Sequence, residues 1–149
     1  MGMADKEENI EEIEASPGQV YSILTDLTIA NAWGKVDDGY FMFPPESRLK
    51  LGHVIDFKPK GWKDILKLKV KVVRHEQVVQ MDIIEGPVFG TLDLSVEPRP
   101  YGTLLSAKLD YRIERVGFML KWKVSDRKKY YEFMKAVLSN IKRYSEAKV

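Results

Sequence analysis

Three features of the sequence predict an α+β fold in which a curved antiparallel sheet of roughly six or seven strands wraps around one long C-terminal helix. From Val36 to Glu114 apolar and polar residues alternate, and turn residues recur at roughly ten-residue intervals, as in an antiparallel meander with one wet face. The last part of the chain repeats apolar residues at three- and four-residue spacing, the period of an amphipathic helix. Two short helical patterns lie between a first strand and the meander.

Asn9 to Ala15 alternate weakly and are expected to form that first strand. Ser16-Pro17-Gly18 then offers an N-cap hydroxyl and a proline at the first helical position, where its missing N–H has no partner to lose. The helix so started carries Val20, Ile23, Leu24 and Leu27 on one face, and a second turn through Thr28 to Trp33 is closed by Gly34.

In the meander, Leu66, Leu68, Val70 and Val72 alternate with Lys67, Lys69 and Lys71. Val79, Met81 and Ile83 follow the turn at His75-Glu76; Val88, Leu92, Leu94 and Val96 follow Gly86-Pro87; Leu105, Ala107, Leu109, Tyr111 and Ile113 follow Pro98 to Gly102. Pairing Arg74 with Gln77 sets Val72 against Val79, Val70 against Met81 and Leu68 against Ile83, with Lys69 opposite Asp82 outside. Pairing Gly86 with Pro87 sets Met81 against Leu92 and Val79 against Leu94, and pairing Val96 with Thr103 sets Leu94 against Leu105 and Leu92 against Ala107. All three hairpins build one apolar face, and a one-residue slip would turn each set outward. Ser125 or Asp126 is expected to cap the final helix, which runs to Lys148 and turns Tyr130, Phe133, Met134, Val137, Leu138, Ile141 and Tyr144 to the sheet. About 22 residues of helix reach about 33 Å, enough to span the sheet.

A chain of 149 residues can bury one core, and a single domain over residues 1–149 is expected. The absence of cysteine removes disulfides, thiolate metal sites and a cysteine nucleophile, and suits a cytoplasmic location. The polar, acidic N-terminal residues hold no signal-like apolar stretch, and no segment is apolar enough to span a membrane. A net charge of +2 gives no reason to expect nucleic acid. Lysine outnumbers arginine, while Asn and Gln are scarce, a bias shared with thermophilic proteins.

The stretch from Ile13 through Ala15-Ser16-Pro17, Val20-Tyr21, Leu24 and Asp26-Leu27, followed by Trp33, resembles the opening of the START-like, or SRPBCC, superfamily, which includes the birch-pollen-allergen-like proteins and the polyketide cyclase and lipid-transport group. Tyr21 stands where members usually carry tryptophan, and Ser16 precedes Pro17 where many have a second proline. The resemblance covers nearly the whole chain and implies the helix-grip fold. It also implies a cavity between sheet and long helix that holds a lipid, sterol, quinone or aromatic polyketide, or in a minority of members a cyclase or dehydratase site. No catalytic motif of an enzymatic subgroup is matched, so no catalytic residue carries over.

The residues expected to line that cavity are Trp33, Phe57, Leu68, Val70, Met81, Ile83, Leu92, Leu94, Leu105, Leu109, Tyr111, Phe118, Tyr130, Met134 and Val137, with Tyr111, Glu85 or Arg74 as the few polar contacts. For any one of the aromatic and methionine side chains among them, ordinary core filling is the commoner role. The only histidines are His53 and His75, too few for a nitrogen site, and no metal or cofactor is expected. His53 shares parity with Ile55 and Phe57 and would face inward, where it could move a proton; such a histidine is more often a hydrogen-bonded structural residue. Asp37 and Asp38, read as the start of a strand, would point to opposite faces. Lys58, Lys60, Lys63, Lys67, Lys69 and Lys71 read as the wet face of the sheet rather than a binding patch. Trp62, on the loop Pro59-Lys60-Gly61-Trp62, is expected at the lip of a cavity or at a tip that touches membranes transiently, without stable insertion.

Overall fold

The computed structural model describes residues 2–147. Its strands are β1 (Met3–Ile13), β2 (Lys35–Val36), β3 (Gly39–Met42), β4 (Val54–Lys58), β5 (Leu66–Arg74), β6 (Val78–Glu85), β7 (Phe89–Arg99) and β8 (Gly102–Ile113). They form one antiparallel sheet in the order β1-β8-β7-β6-β5-β4-β3-β2, longer than the expected six or seven strands because the short β2 and β3 also pair. Helices α1 (Pro17–Thr25) and α2 (Leu27–Trp33) carry the chain from one edge of the sheet to the other. After β8 the chain returns across the concave face as α3 (Val116–Lys121), a π-helical turn (Trp122–Asp126) and α4 (Arg127–Ala147).

The local signals behave as their chemistry requires. Ser16 Oγ accepts from the Gln19 N–H at 3.1 Å with Pro17 in the first turn, and the Gly34 N–H closes α2 on the Ala30 carbonyl. The β6–β7 ladder has the expected register, with Met81 opposite Leu92 and Val79 opposite Leu94. The sheet's inner face, from Leu66 through Ile113, is buried under α4.

Several expectations need correction. The first strand starts at Met3, not Asn9, because its inward positions Glu7 and Asn9 find polar partners on α4. In the β5–β6 hairpin Val70 does face Met81 and Leu68 faces Ile83, but an irregularity between Val70 and Val72 puts Val73, not Val72, opposite Val79, and Arg74 opposite Val78 rather than Gln77. The β7–β8 hairpin closes two residues later than expected, pairing Arg99 with Gly102, so Leu94 faces Ala107 and Leu92 faces Leu109. A two-residue slip keeps every side chain on its face, which is why the pattern of burial hides it. Pro98 is tolerated within β7 because the ladder to β6 ends at Ser95, leaving no acceptor for the N–H it lacks. Asp37 and Asp38 form the two-residue turn between β2 and β3, with Asp37 at φ 53, and do not start a strand. Finally, Ser125 and Asp126 do not cap a helix: the π-turn joins α3 to α4 without a break. Lys148, the expected end of the last helix, lies outside the described residues.

Candidate functional site

Each of the fifteen residues expected to line a cavity is in the buried core. Their neighbours explain why. At the α3 end of the grip, rings from sheet and helix touch in sequence: Phe41 and Phe57 at 4.4 Å between centroids, Phe57 and Tyr130 at 6.1 Å, Tyr130 and Trp122 at 6.1 Å, and Trp122 and Tyr111 at 4.9 Å. Phe133 packs against both Phe41 and Phe57. Toward the other end Met81, Leu92, Leu94, Leu105, Met134 and Val137 fill the space with aliphatic side chains.

Polar atoms in this interior are few and unevenly served. All three indoles donate: Trp33 to the Ile23 carbonyl at 3.2 Å, Trp62 to the Asp126 carbonyl at 3.0 Å, and Trp122 to the Tyr111 hydroxyl at 3.1 Å. Burial, only partly offset by the Trp122 N–H, pushes the Tyr111 phenol above its usual range. Tyr130 is different: its hydroxyl is buried among the rings and finds no hydrogen-bond partner among the described residues, and burial drives its pKa up strongly, so it stays protonated. Such a group is uncommon in a native core and asks for an explanation.

Trp62 corrects an expectation. Its indole is 2% exposed, edge-on to Phe118 and Trp122, so it closes the α3 end of the interior rather than forming an exposed tip. The loop that carries it is fixed from below. The Gly61 N–H donates to Asp38 Oδ1 at 3.1 Å, Lys58 meets Asp38 at 3.3 Å, and Lys60 meets Asp37 at 2.7 Å. The Gly61 N–H, followed by Lys58, holds the Asp38 carboxyl below its usual 3.8. Gly39 permits this approach: a Cβ there would sit 2.7 Å from the Phe133 ring and against the Lys60 amide.

Where this loop meets α4 there is a cleft of about 350 Å³, lined by Val36, Lys60, Gly61, Lys129, Glu132, Phe133 and Ala136. Its floor is Phe133, the outermost ring of the cluster that leads through Phe57 to Tyr130. Val36 and Ala136 supply apolar walls, and Lys60, Lys129 and Glu132 supply charged ones, with the Lys60 ammonium paired to Asp37 and that of Lys129 on the Gly61 carbonyl. A smaller hollow of about 180 Å³ adjoins it across Gly61 and Lys129, with Lys63, Lys121 and Asp126. Two further clefts lie elsewhere, one including Tyr111 with Phe89 and Arg112, the other Tyr21 with Arg48 and His75. None of these four clefts lies beneath the helix where the cavity was expected: of the fifteen expected lining residues only Tyr111 borders one, because the others are packed against one another in the core.

The polar candidates sit apart from the cleft. His53 is mostly buried but has both ring nitrogens engaged: its Nδ1 accepts from the Lys50 N–H at 3.1 Å and its Nε2 donates to Glu46 at 2.8 Å, which fixes the tautomer and makes it a hydrogen-bonded structural residue. His75 is exposed in its turn, and Glu85 and Arg74 are exposed at strand ends. Among the described residues no cluster of His, Asp and Glu could hold a metal. The lysines of β4 and β5 are largely paired, Lys67 with Asp56 at 2.8 Å and Lys71 with Asp82 at 3.2 Å, as a wet sheet face requires. Sequence reasoning missed Val36, Gly61, Lys129 and Ala136; the Asp38-Gly39 turn signal beside a valine was the trace they left.

No protein-family model matches the chain, and no curated protein matches it in sequence. Solved structures do match over nearly all of its length. TTHA0849 of Thermus thermophilus is 15% identical over 98% of this chain and 99% of its own, with a TM-score of 0.71. Norcoclaurine synthase of Thalictrum flavum, solved with dopamine and hydroxybenzaldehyde, is 15% identical over 95% and 86%, with a TM-score of 0.69. Major latex-like protein 151 of Panax ginseng is 16% identical over 95% and 97%, with a TM-score of 0.65.

Proposed function

On a chain with the START-like, helix-grip fold, we propose that the cleft between β2, the 59–62 loop and α4 admits a hydrophobic small molecule bearing an aromatic or aliphatic body and an anionic end. The observation that carries this reading is the run of aromatic rings from the cleft floor at Phe133 inward to the unpartnered Tyr130 hydroxyl. The apolar body would displace water from Val36, Ala136 and Phe133, the main source of affinity. As the Trp62 loop and α4 part, it would reach Phe57, Tyr130, Met134 and Trp33 among the expected lining residues, and a carbonyl or hydroxyl on it would satisfy Tyr130. Lys129, together with Lys60 that also pairs with Asp37, would meet the anionic end, turned away from the Glu132 carboxylate. The solved complex of norcoclaurine synthase with two aromatic molecules supports a small-molecule role for this fold. A cyclase or dehydratase would need a proton-moving pair at the cleft, and neither His53, the residue expected to move a proton, nor the polar contact Tyr111 lines it.

The test uses anilinonaphthalene sulfonate, an aromatic anion whose fluorescence rises in apolar surroundings. The wild-type chain should bind it saturably with one site, and Ala136→Trp, which fills the cleft from its half-buried wall, should abolish the signal while unfolding at an unchanged temperature. Equal binding by both proteins would remove the cleft from consideration.

A further inference from the structure

The segment Val116 to Asp126 shows two faces with the same four-residue spacing. Phe118, Trp122 and Asp126 point into the protein, whereas Val116, Leu120 and Val124 are 65%, 61% and 83% exposed. Passing from α3 into the π-turn, with its wider turn, keeps residues four apart nearly aligned, so the three aliphatic side chains form one outward stripe. Three such residues in line are unlike the isolated apolar residues of an ordinary surface. The ridge stands clear of its surroundings: a Cβ on Gly117 would meet nothing within 4 Å, and none of the four clefts includes the stripe.

Its surroundings are cationic. Residues 112–129 carry seven Lys and Arg against two acidic side chains, on a chain whose totals are 24 against 22. Arg115 and Lys123 on this segment, and Lys63 on the facing loop, are exposed and take no ion pair among the described residues. Lys121 fastens the segment to that loop through Asp64 at 3.0 Å, so Lys63 and the exposed Ile65 belong to the same surface.

We propose that this ridge docks on an anionic lipid bilayer, with Val116, Leu120 and Val124 entering the boundary between headgroups and acyl chains and Arg115, Lys123 and Lys63 meeting the headgroups. A convex aliphatic ridge rimmed by cations suits an interfacial surface. A helical protein partner would instead call for a groove. The ridge lies on the membrane rather than through it, since no helix among the described residues is long and apolar enough to cross one. This surface replaces the Trp62 tip expected from the sequence, and it does not depend on the cleft binding a ligand.

The experiment is co-sedimentation of the full chain with vesicles of phosphatidylcholine alone and of phosphatidylcholine mixed with phosphatidylserine. Binding is expected to the mixed vesicles only, falling as salt rises. The double variant Leu120→Ser, Val124→Ser removes apolar area without changing charge and should weaken partitioning by roughly tenfold or more; Arg115→Gln, Lys123→Gln should weaken it on mixed vesicles by a similar factor. All four positions are exposed, so unfolding temperatures near that of wild type will show the variants folded. No binding to mixed vesicles, equal binding to both kinds, or undiminished binding by the serine variant would overturn the proposal. So would capture of an acidic amphipathic peptide, lost in the serine variant, by a chain that ignores vesicles.

Discussion

Along its β1 flank α4 is fastened by polar contacts at four levels. Arg127 makes a two-pronged bridge to Glu7 at 2.9 Å, the Tyr131 carbonyl accepts from Asn9 at 3.2 Å, Lys142 donates to the Glu12 carbonyl at 2.7 Å, and Glu146 accepts from the Glu14 N–H at 2.9 Å. Along the β2 flank the polar contacts among the described residues are fewer: Lys129 reaches the Gly61 carbonyl at 3.4 Å beside the cleft, and one turn beyond it Asn140 donates to the Trp33 carbonyl at 3.2 Å. The same helix on the same sheet is therefore stitched by a row of polar contacts on one side and by few on the other, where the cleft lies. The difference begins in the strands. β1 is 11 residues long and spends inward positions on Glu7 and Asn9, which the helix can grip, while β2 has two residues and offers no such row. An edge strand that gives up apolar burial for polar stitching closes a helix-grip, and a short one leaves it open.

The contrast can be broken from either side. The largest effect is expected at the floor of the open flank: Phe133→Ala removes a ring that is 1% exposed and should cost about 3–5 kcal/mol in urea unfolding. A loss under about 1 kcal/mol would mean that the parted flank is not tied into the core. On the sealed flank, Glu7→Gln keeps shape but removes the charge that holds Arg127 protonated above its usual range. Because Arg127 is 45% exposed and screened by water, the expected cost is about 1 kcal/mol, with faster amide exchange along β1 and none along β2.

Tyr130→Phe sharpens the comparison in a different way. It deletes a hydroxyl that has no partner, so stability should be unchanged or rise by up to about 1 kcal/mol, while affinity for a carbonyl-bearing aromatic probe falls. Retained affinity would confine the probe to the rim. The smallest effect concerns the loop anchor. Asp38 has a folded pKa below 3.8, so its contribution is whole above pH 3.8 and is lost as pH falls through the lower folded value. Exchange of the Gly61 amide, corrected for its intrinsic rate, should rise across that acid window and stay flat above it. A flat profile down to full protonation would show that the Asp38 carboxylate does not anchor the loop.

How much of this was legible in the sequence follows the range of the forces involved. Period-two alternation is local, so the apolar face and the β6–β7 register could be read directly. The irregularity near Lys71 could not, because a Lys-Val-Val run fits two registers equally well. The β7–β8 slip stayed hidden because parity survived it. Trp62 was misplaced because its partners, Phe118, Trp122 and the Asp126 carbonyl, come from far along the chain. Only the part of β1 from Asn9 onward was legible, because the inward residue before it, Glu7, is matched by Arg127 from far along the chain. For the site, the core-facing residues were visible as apolar positions, but the cleft is made by Val36, Gly61, Lys129 and Ala136, which only the Asp37-Asp38 turn brings together.

Backbone amide shifts recorded while anilinonaphthalene sulfonate is titrated into the protein test the central claim most directly. Perturbations are expected to start at Val36, Gly61 and Ala136 and to extend through Phe133 toward Tyr130, leaving Glu7, Asn9 and the rest of the β1 flank still. Shifts concentrated along β1, or scattered with no focus at the β2 flank, would contradict entry at the parted edge.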